Sequence, residues 1–133
     1  MSIHDIAYVV NMFPKLSETF ILNEIAELVR RGVTCRVLSL KTPNETLRHP
    51  TVTALPLDEM VFFDEAAFRH SLATRRPDVV HAHFATEPTR VARGLARDLD
   101  LPYTFTAHGY DVYRRPPADL AALGRDQATE DAA

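Results

Sequence analysis

The sequence lacks most of the features that would make its function easy to assign. One cysteine, Cys35, stands among 133 residues, which excludes an internal disulfide framework and fits a reducing compartment. The four glycines form neither G-x-G-x-x-G nor G-x-x-x-x-G-K-[ST], so dinucleotide oxidoreductases and P-loop enzymes lose most of their support. No G-x-S-x-G elbow is present either, which leaves a Ser-His-Asp hydrolase poorly founded. No apolar run approaches the roughly 20 residues that span a bilayer. Met1 to Asp5 shows no basic segment leading into an apolar one, so no secretory leader is expected. The formal net charge of -3 offers no basic surface for nucleic acid. A cytoplasmic domain is expected, with at most peripheral membrane association.

What is present is ordered as alternating apolar runs and amphipathic segments. With 46% hydrophobic and 25% charged residues, the composition is that of a globular domain able to bury a core. Ile6–Val10 is a short, continuous apolar run, the pattern of a strand covered on both faces. Pro14 closes it. Ser17 is placed to cap a following helix, Ile21, Ile25, Leu28 and Val29 recur at helical spacing, and Gly32 gives the C-terminal stop. Val33–Leu40 reads as a second strand. Thr42–Pro56, rich in Thr, Pro and Asn, reads as a loop, and one blurred helix is expected from about Asp64 to Leu72. Asp78–Phe84 reads as a further strand. Thr86 and Pro88 then open a helix with an Ala92, Leu95, Ala96 and Leu99 stripe, and Tyr103–Ala107 is a last strand. The fold class predicted is α/β, a Rossmann-like open parallel sheet with helices on both faces. The domain is expected over residues 1–123, with 124–133 a disordered tail.

Open parallel sheets bind ligands outside the carboxyl ends of their strands. Pro14–Thr19, His81–Glu87 and His108–Asp111 all fall at such ends, and their convergence is the functional signal. Ser17 and Thr19, at a helix N-terminus with Lys15 nearby, suit an anion. Glu18 would repel a phosphate and suits a sugar hydroxyl better. Plain helix capping accounts for Ser17 equally well. His81 and His83 share one face of a strand and form a possible metal pair, with His108 a conceivable third ligand. No carboxylate or cysteine in the neighbouring sequence completes a metal signature, so no metal site is expected. His81 is read as a hydrogen-bonded core residue and His83 as the one exposed to a cleft. Gly109 lets the chain turn sharply after His108, and Asp111 either caps the next segment or meets a ligand.

Three stretches carry a resemblance to a known family. Phe13-Pro14-Lys15-Leu16-Ser17-Glu18-Thr19-Phe20-Ile21-Leu22-Asn23-Glu24-Ile25 resembles the opening of bacterial glycosyltransferases of family 4, especially the colanic acid and exopolysaccharide group. His81-Ala82-His83-Phe84-Ala85 and Phe105-Thr106-Ala107-His108-Gly109-Tyr110-Asp111-Val112-Tyr113 are similar to that group's next two landmarks, in the same order. The resemblance implies the N-terminal, acceptor-side half of a GT-B enzyme. Such an enzyme moves a sugar from a nucleotide-sugar, with retention, to a glycan or lipid-linked acceptor. By the same resemblance His108 lies beside the reacting sugar and is the catalytic candidate. Ser17, Glu18 and Thr19 approach the donor diphosphate, and His83, Gly109 and Asp111 complete the donor and acceptor contacts. No bound cofactor or metal is implied, and the nucleotide-sugar is a co-substrate.

The family's donor half carries two glutamates eight positions apart, and no pair in this chain has that spacing. The resemblance therefore implies a chain without its donor half, inactive alone or dependent on a separate donor-domain chain. Two other readings stand beside it: a non-catalytic sugar- or acceptor-binding module, and a metal-dependent hydrolase using His81, His83 and His108.

Overall fold

A computed structural model of the chain describes residues 3–15, 18–43, 50–84 and 86–107. Five strands form one all-parallel sheet: β1 (Asp5–Met12), β2 (Thr34–Lys41), β3 (Val61–Phe62), β4 (Val79–His83) and β5 (Tyr103–Thr106). Their spatial order is β3-β2-β1-β4-β5. The chain winds outward from β1 in one direction, returns, and winds outward in the other. The helices are α1 (Thr19–Arg30), the short α2 (Pro50–Ala54), α3 (Glu65–Thr74) and α4 (Glu87–Leu99), with a 3-10 turn at Leu57–Met60. No helix among the described residues is long and apolar enough to cross a membrane.

β1 shows why the sheet is covered twice. Ile6, Tyr8 and Val10 point to one face and pack with Ile21, Leu22 and Ile25 of α1 and with Val37. Ala7 and Val9 point to the other and pack with Phe68 and Leu72 of α3 and Ala92, Leu95 and Ala96 of α4. Side chains alternate along a strand, so an uninterrupted apolar run demands apolar cover on both sides. Burial of large side chains such as Ile25 or Leu95, each fully inside, contributes about 1.5–3 kcal/mol apiece.

At the amino ends of the strands the cover is ionic. Arg36 of β2 is buried on the α3 side, where its Nη2 donates to Asp5 Oδ1 at 2.9 Å and its Nη1 donates to the Ser71 backbone oxygen at 2.9 Å. Arg75 Nε donates to the second carboxylate oxygen, Asp5 Oδ2, at 2.9 Å. Asp5 thus serves two guanidinium groups, and Arg36 anchors the end of α3 to the sheet. This network lies at the edge opposite the strand carboxyl ends, and its role is structural.

The four longer strands match the sequence expectation, with ends shifted by one or two residues. Three details differ. Thr42–Pro56 is not all loop, because Pro50–Ala54 is helical and its Val52, with Leu57 just beyond, is fully buried. β3 pairs through Val37 with Val61 and Leu38 with Phe62, and two residues carry no periodicity to detect. Glu18, not Ser17, takes the N-cap position of α1, and it makes no side-chain capping bond. At the other end of α1, Gly32 adopts φ +87°, the left-handed turn expected of a C-terminal stop. The readings placed on residues 108–133, including the short helix and the tail, lie outside the described residues.

Breaking the buried pair has a calculable cost. Arg36→Met leaves the Asp5 carboxylate with only the exposed Arg75, and should lower stability by about 3–5 kcal/mol in urea unfolding. Arg75→Met, at a side chain 60% exposed, should cost under about 1 kcal/mol. Equal losses from the two variants would contradict the structural role assigned to Arg36.

Candidate functional site

The strand order changes direction between β1 and β4, and there the carboxyl ends diverge. An open crevice of about 690 Å³ lies at this edge, lined by Asn11, Glu18, Leu40, Lys41, Phe84, Thr86 and Glu87 among the described residues. Each element contributes its last or first polar residue. Asn11 ends the apolar run of β1, Lys41 ends β2, Glu18 precedes α1, and Thr86 and Glu87 open α4. Ser39 stabilises the floor, since its buried hydroxyl accepts from the Phe13 N–H at 3.0 Å and donates to the Lys41 carbonyl at 2.7 Å.

Phe84 turns the chain out of β4 with φ +74°, a conformation that L residues rarely adopt. Two bonds hold it there. The Phe84 N–H donates to the Thr106 carbonyl at 2.8 Å, and the Thr89 hydroxyl, fully buried, donates to the Phe84 carbonyl at 2.6 Å. Backbone strain of about 1–3 kcal/mol persists only where surroundings over-determine it, and it gathers at functional sites. Phe84 gives the crevice an aromatic wall, and the exposed Phe20 ring meets it edge-on at 6.3 Å from outside the lining.

Glu18 is half-buried at the crevice. Burial pushes its carboxyl above the usual range, opposed by Lys15, whose ammonium lies 4.0 Å away. Glu18, Glu87 and Lys41 line the crevice, with Lys15 beside Glu18 and Arg90 beside Glu87. Such a lining offers hydrogen-bond acceptors to hydroxyl groups and disfavours a second concentration of negative charge.

Behind the crevice, on the α1 side of the sheet, lies a polar cluster that runs from the buried Tyr8 and His83 out to the exposed Glu24. Glu24 of α1 accepts from the Tyr8 hydroxyl at 2.7 Å and from His83 Nε2 at 3.0 Å. A carboxylate only accepts, so this nitrogen of His83 must carry the proton. The His83 ring stacks on Tyr8 at 6.1 Å and meets His81 edge-on at 5.1 Å. His81 has a hydroxyl at each ring nitrogen, Thr104 Oγ1 at 2.6 Å from Nδ1 and Thr106 Oγ1 at 3.0 Å from Nε2. The His83 hydrogen bond, the largest influence, holds the Glu24 carboxyl down at about 2, with Tyr8 adding to the effect. Burial, aided by His83, lowers His81 to about 4 and keeps it neutral near pH 7. Burial, reinforced by Glu24, pushes the Tyr8 phenol far up.

The structure brings some of the expected residues together and reverses one expectation. Glu18 lines the crevice. Thr19 is exposed in the first turn of α1, outside the crevice lining. His83, expected at the surface of a cleft, is only 3% exposed, whereas the partner expected in the core, His81, is the less buried of the two. The reason is that α1 covers the carboxyl end of β4, and the face around Thr104 and Thr106 opens onto a cavity. Ser17, His108, Gly109 and Asp111 lie outside the described residues. Sequence reasoning missed Asn11, Lys41, Glu24 and Tyr8. The first two carry a signal, a polar residue ending an apolar strand. Glu24 carries none, because on a helix of this composition it reads as a solvated charge.

Fold and crevice together define an open parallel α/β domain with its ligand site at the topological switch point. The sequence matches the description Glycosyltransferase Family 4 over residues 17–129, most of its length, and the chain belongs to that family. The Rossmann-like sheet is consistent with the N-terminal half of a GT-B fold. No curated protein and no solved structure gave a significant match.

The polar cluster makes stability sensitive to acid in two windows. Between pH 6.5 and about 4 the unfolded chain protonates His81 and the folded chain does not, so stability falls as pH falls. Between 4.5 and about 2 the same holds for Glu24, whose folded form resists protonation. Urea midpoints measured from pH 7 to pH 3 should decline through both windows. His81→Gln should flatten the upper limb and leave the lower one. A midpoint unchanged between pH 7 and pH 4.5 would contradict the burial of a neutral His81.

Proposed function

We propose that this domain is the acceptor-side half of a retaining glycosyltransferase of polysaccharide biosynthesis, of the colanic acid and exopolysaccharide type. The sugar donor is a nucleotide-sugar and the acceptor a glycan or lipid-linked sugar. The observation that carries the reading is the crevice at the switch point, whose polar groups suit a neutral, hydroxyl-rich molecule better than a diphosphate. Glu18 and Glu87 accept from sugar hydroxyls, Asn11 and Thr86 both donate and accept, and the Phe84 wall covers an apolar sugar face.

In this reading His108, which follows β5 by two positions, stands beside the reacting sugar as the catalytic residue. Gly109 and Asp111 complete the donor and acceptor contacts. Ser17 and Thr19 meet the donor diphosphate from the loop before α1, and His83 acts from behind, holding α1 against β4 through Glu24. The donor is gripped chiefly by a second domain, on the same or a separate chain, so transfer by these 133 residues alone is not expected. Reaction at a cytoplasmic membrane face, with peripheral attachment, fits a lipid-linked acceptor.

Calorimetric titration with a panel of neutral oligosaccharides and with uridine and guanosine diphosphate sugars tests this reading. Neutral oligosaccharides should bind, nucleotide-sugars should bind more weakly, and the chain should turn over neither. Glu18→Gln and Glu87→Gln should each weaken oligosaccharide binding roughly ten- to hundredfold, since a charged hydrogen bond contributes about 1.5–3 kcal/mol. Preferred binding of nucleotide-sugars, or turnover by this chain, would overturn the assignment.

A further inference from the structure

Outside the crevice, one group of side chains has the composition and spacing of a metal site. Among the described residues, only Glu24, His81 and His83 bring together three donors of metal-ligating type, one atom from each lying within 4.8 Å of the others. Two imidazoles and one carboxylate are a donor set that suits zinc, which prefers four-coordinate sites of nitrogen and oxygen ligands at about 2.0–2.2 Å. The closest pair, His83 Nε2 and Glu24 Oε2, is already at 3.0 Å. That is near the separation, about 3.3 Å, of two ligands on a tetrahedral zinc. We propose that Glu24, His81 and His83 bind one zinc ion on the α1 side of the sheet, with a fourth position filled by water or by the Tyr8 phenol.

Three further observations support the site. A cavity of about 280 Å³, lined by Tyr8, Glu24, His81, Thr104 and Thr106 among others, opens directly onto it and supplies both an entry path and room for water. A histidine ligand needs a partner for the nitrogen that does not bind metal. His81 has a threonine hydroxyl on each nitrogen, so whichever one turns to the ion, the other keeps its outer bond. The charge is also suitable: Glu24 supplies a carboxylate, and no Lys or Arg lies within ion-pair distance of it among the described residues.

The zinc would be structural, joining α1 to β4 behind the crevice. The site holds none of the crevice-lining residues, so zinc uptake is measured separately from oligosaccharide binding.

The untagged chain, stripped with EDTA and dialysed, should take up one zinc per chain in calorimetric titration and unfold at a higher temperature with zinc present. Glu24→Gln and His83→Gln should each abolish saturable binding. The double variant Thr104→Val, Thr106→Val, which removes the outer partner whichever His81 nitrogen binds the ion, should weaken binding by about 10- to 100-fold. His70→Gln, at an exposed position on α3, should leave binding unchanged. Because a ligand variant can fail to fold, the imidazole nitrogen resonances of the unaltered chain provide an independent readout. Those of His81 and His83 should shift with zinc up to one equivalent. No uptake at one equivalent, or shifts confined to other histidines, would overturn the proposal.

Discussion

The structure depends on the position of β1. This strand is paired on both edges, with β2 in the register Ile6–Cys35 and Tyr8–Val37 and with β4 in the register Ile6–Val79 and Tyr8–His81. It is also buried on both faces. A strand in that position must be laid down with helices leaving to one face on its β2 side and to the other face on its β4 side. The carboxyl ends of β1 and β4 then part, and the chain cannot avoid a crevice there. Asn11, Lys41 and Thr86 face this crevice because each lies just beyond the last buried residues of its strand. The ligand site is therefore a geometric consequence of the core.

The second constraint is polar. The Tyr8–Glu24–His83 set places a phenol and an imidazole inside an otherwise apolar packing layer between α1 and the sheet, with the exposed Glu24 carboxylate at its edge. Such groups are costly when unsatisfied, about 1–3 kcal/mol each, and more for a charge. Here each has its partner, and the Glu24–His83 bond ties α1 to β4 about two turns from Glu18 at the head of the helix. The strained Phe84 is fixed from the other side by Thr89 of α4. Two elements from opposite faces of the sheet thus converge on the same crevice, each through one side chain.

Much of the fold was legible because β1, β2, β4 and β5 are apolar runs bounded by Pro or Gly, and α1 and α4 present their apolar residues at helical spacing. β3 was not, since a two-residue strand has no period, and α2 was hidden in a stretch of turn-forming residues whose one anchor is Val52. Glu18 and the crevice edge were legible from strand ends alone. The burial order of His81 and His83 was not, because alternation places both on one face and says nothing about which part of that face α1 covers. Glu24 was invisible for a related reason. Its partner His83 is 59 positions away, and only the tertiary fold sets this exposed helix charge against a buried imidazole.

The central claim, that the crevice between β1 and β4 receives a neutral sugar, is tested most directly by mapping where such a molecule binds. Amide correlation spectra of the labelled chain, recorded with increasing neutral oligosaccharide, should show shifts at Asn11, Glu18, Lys41, Phe84, Thr86 and Glu87. Residues at the opposite edge, such as Thr34, Arg75 and Asp78, should be unaffected. Shifts concentrated at that opposite edge, or on the outer faces of α3 and α4, would contradict the account.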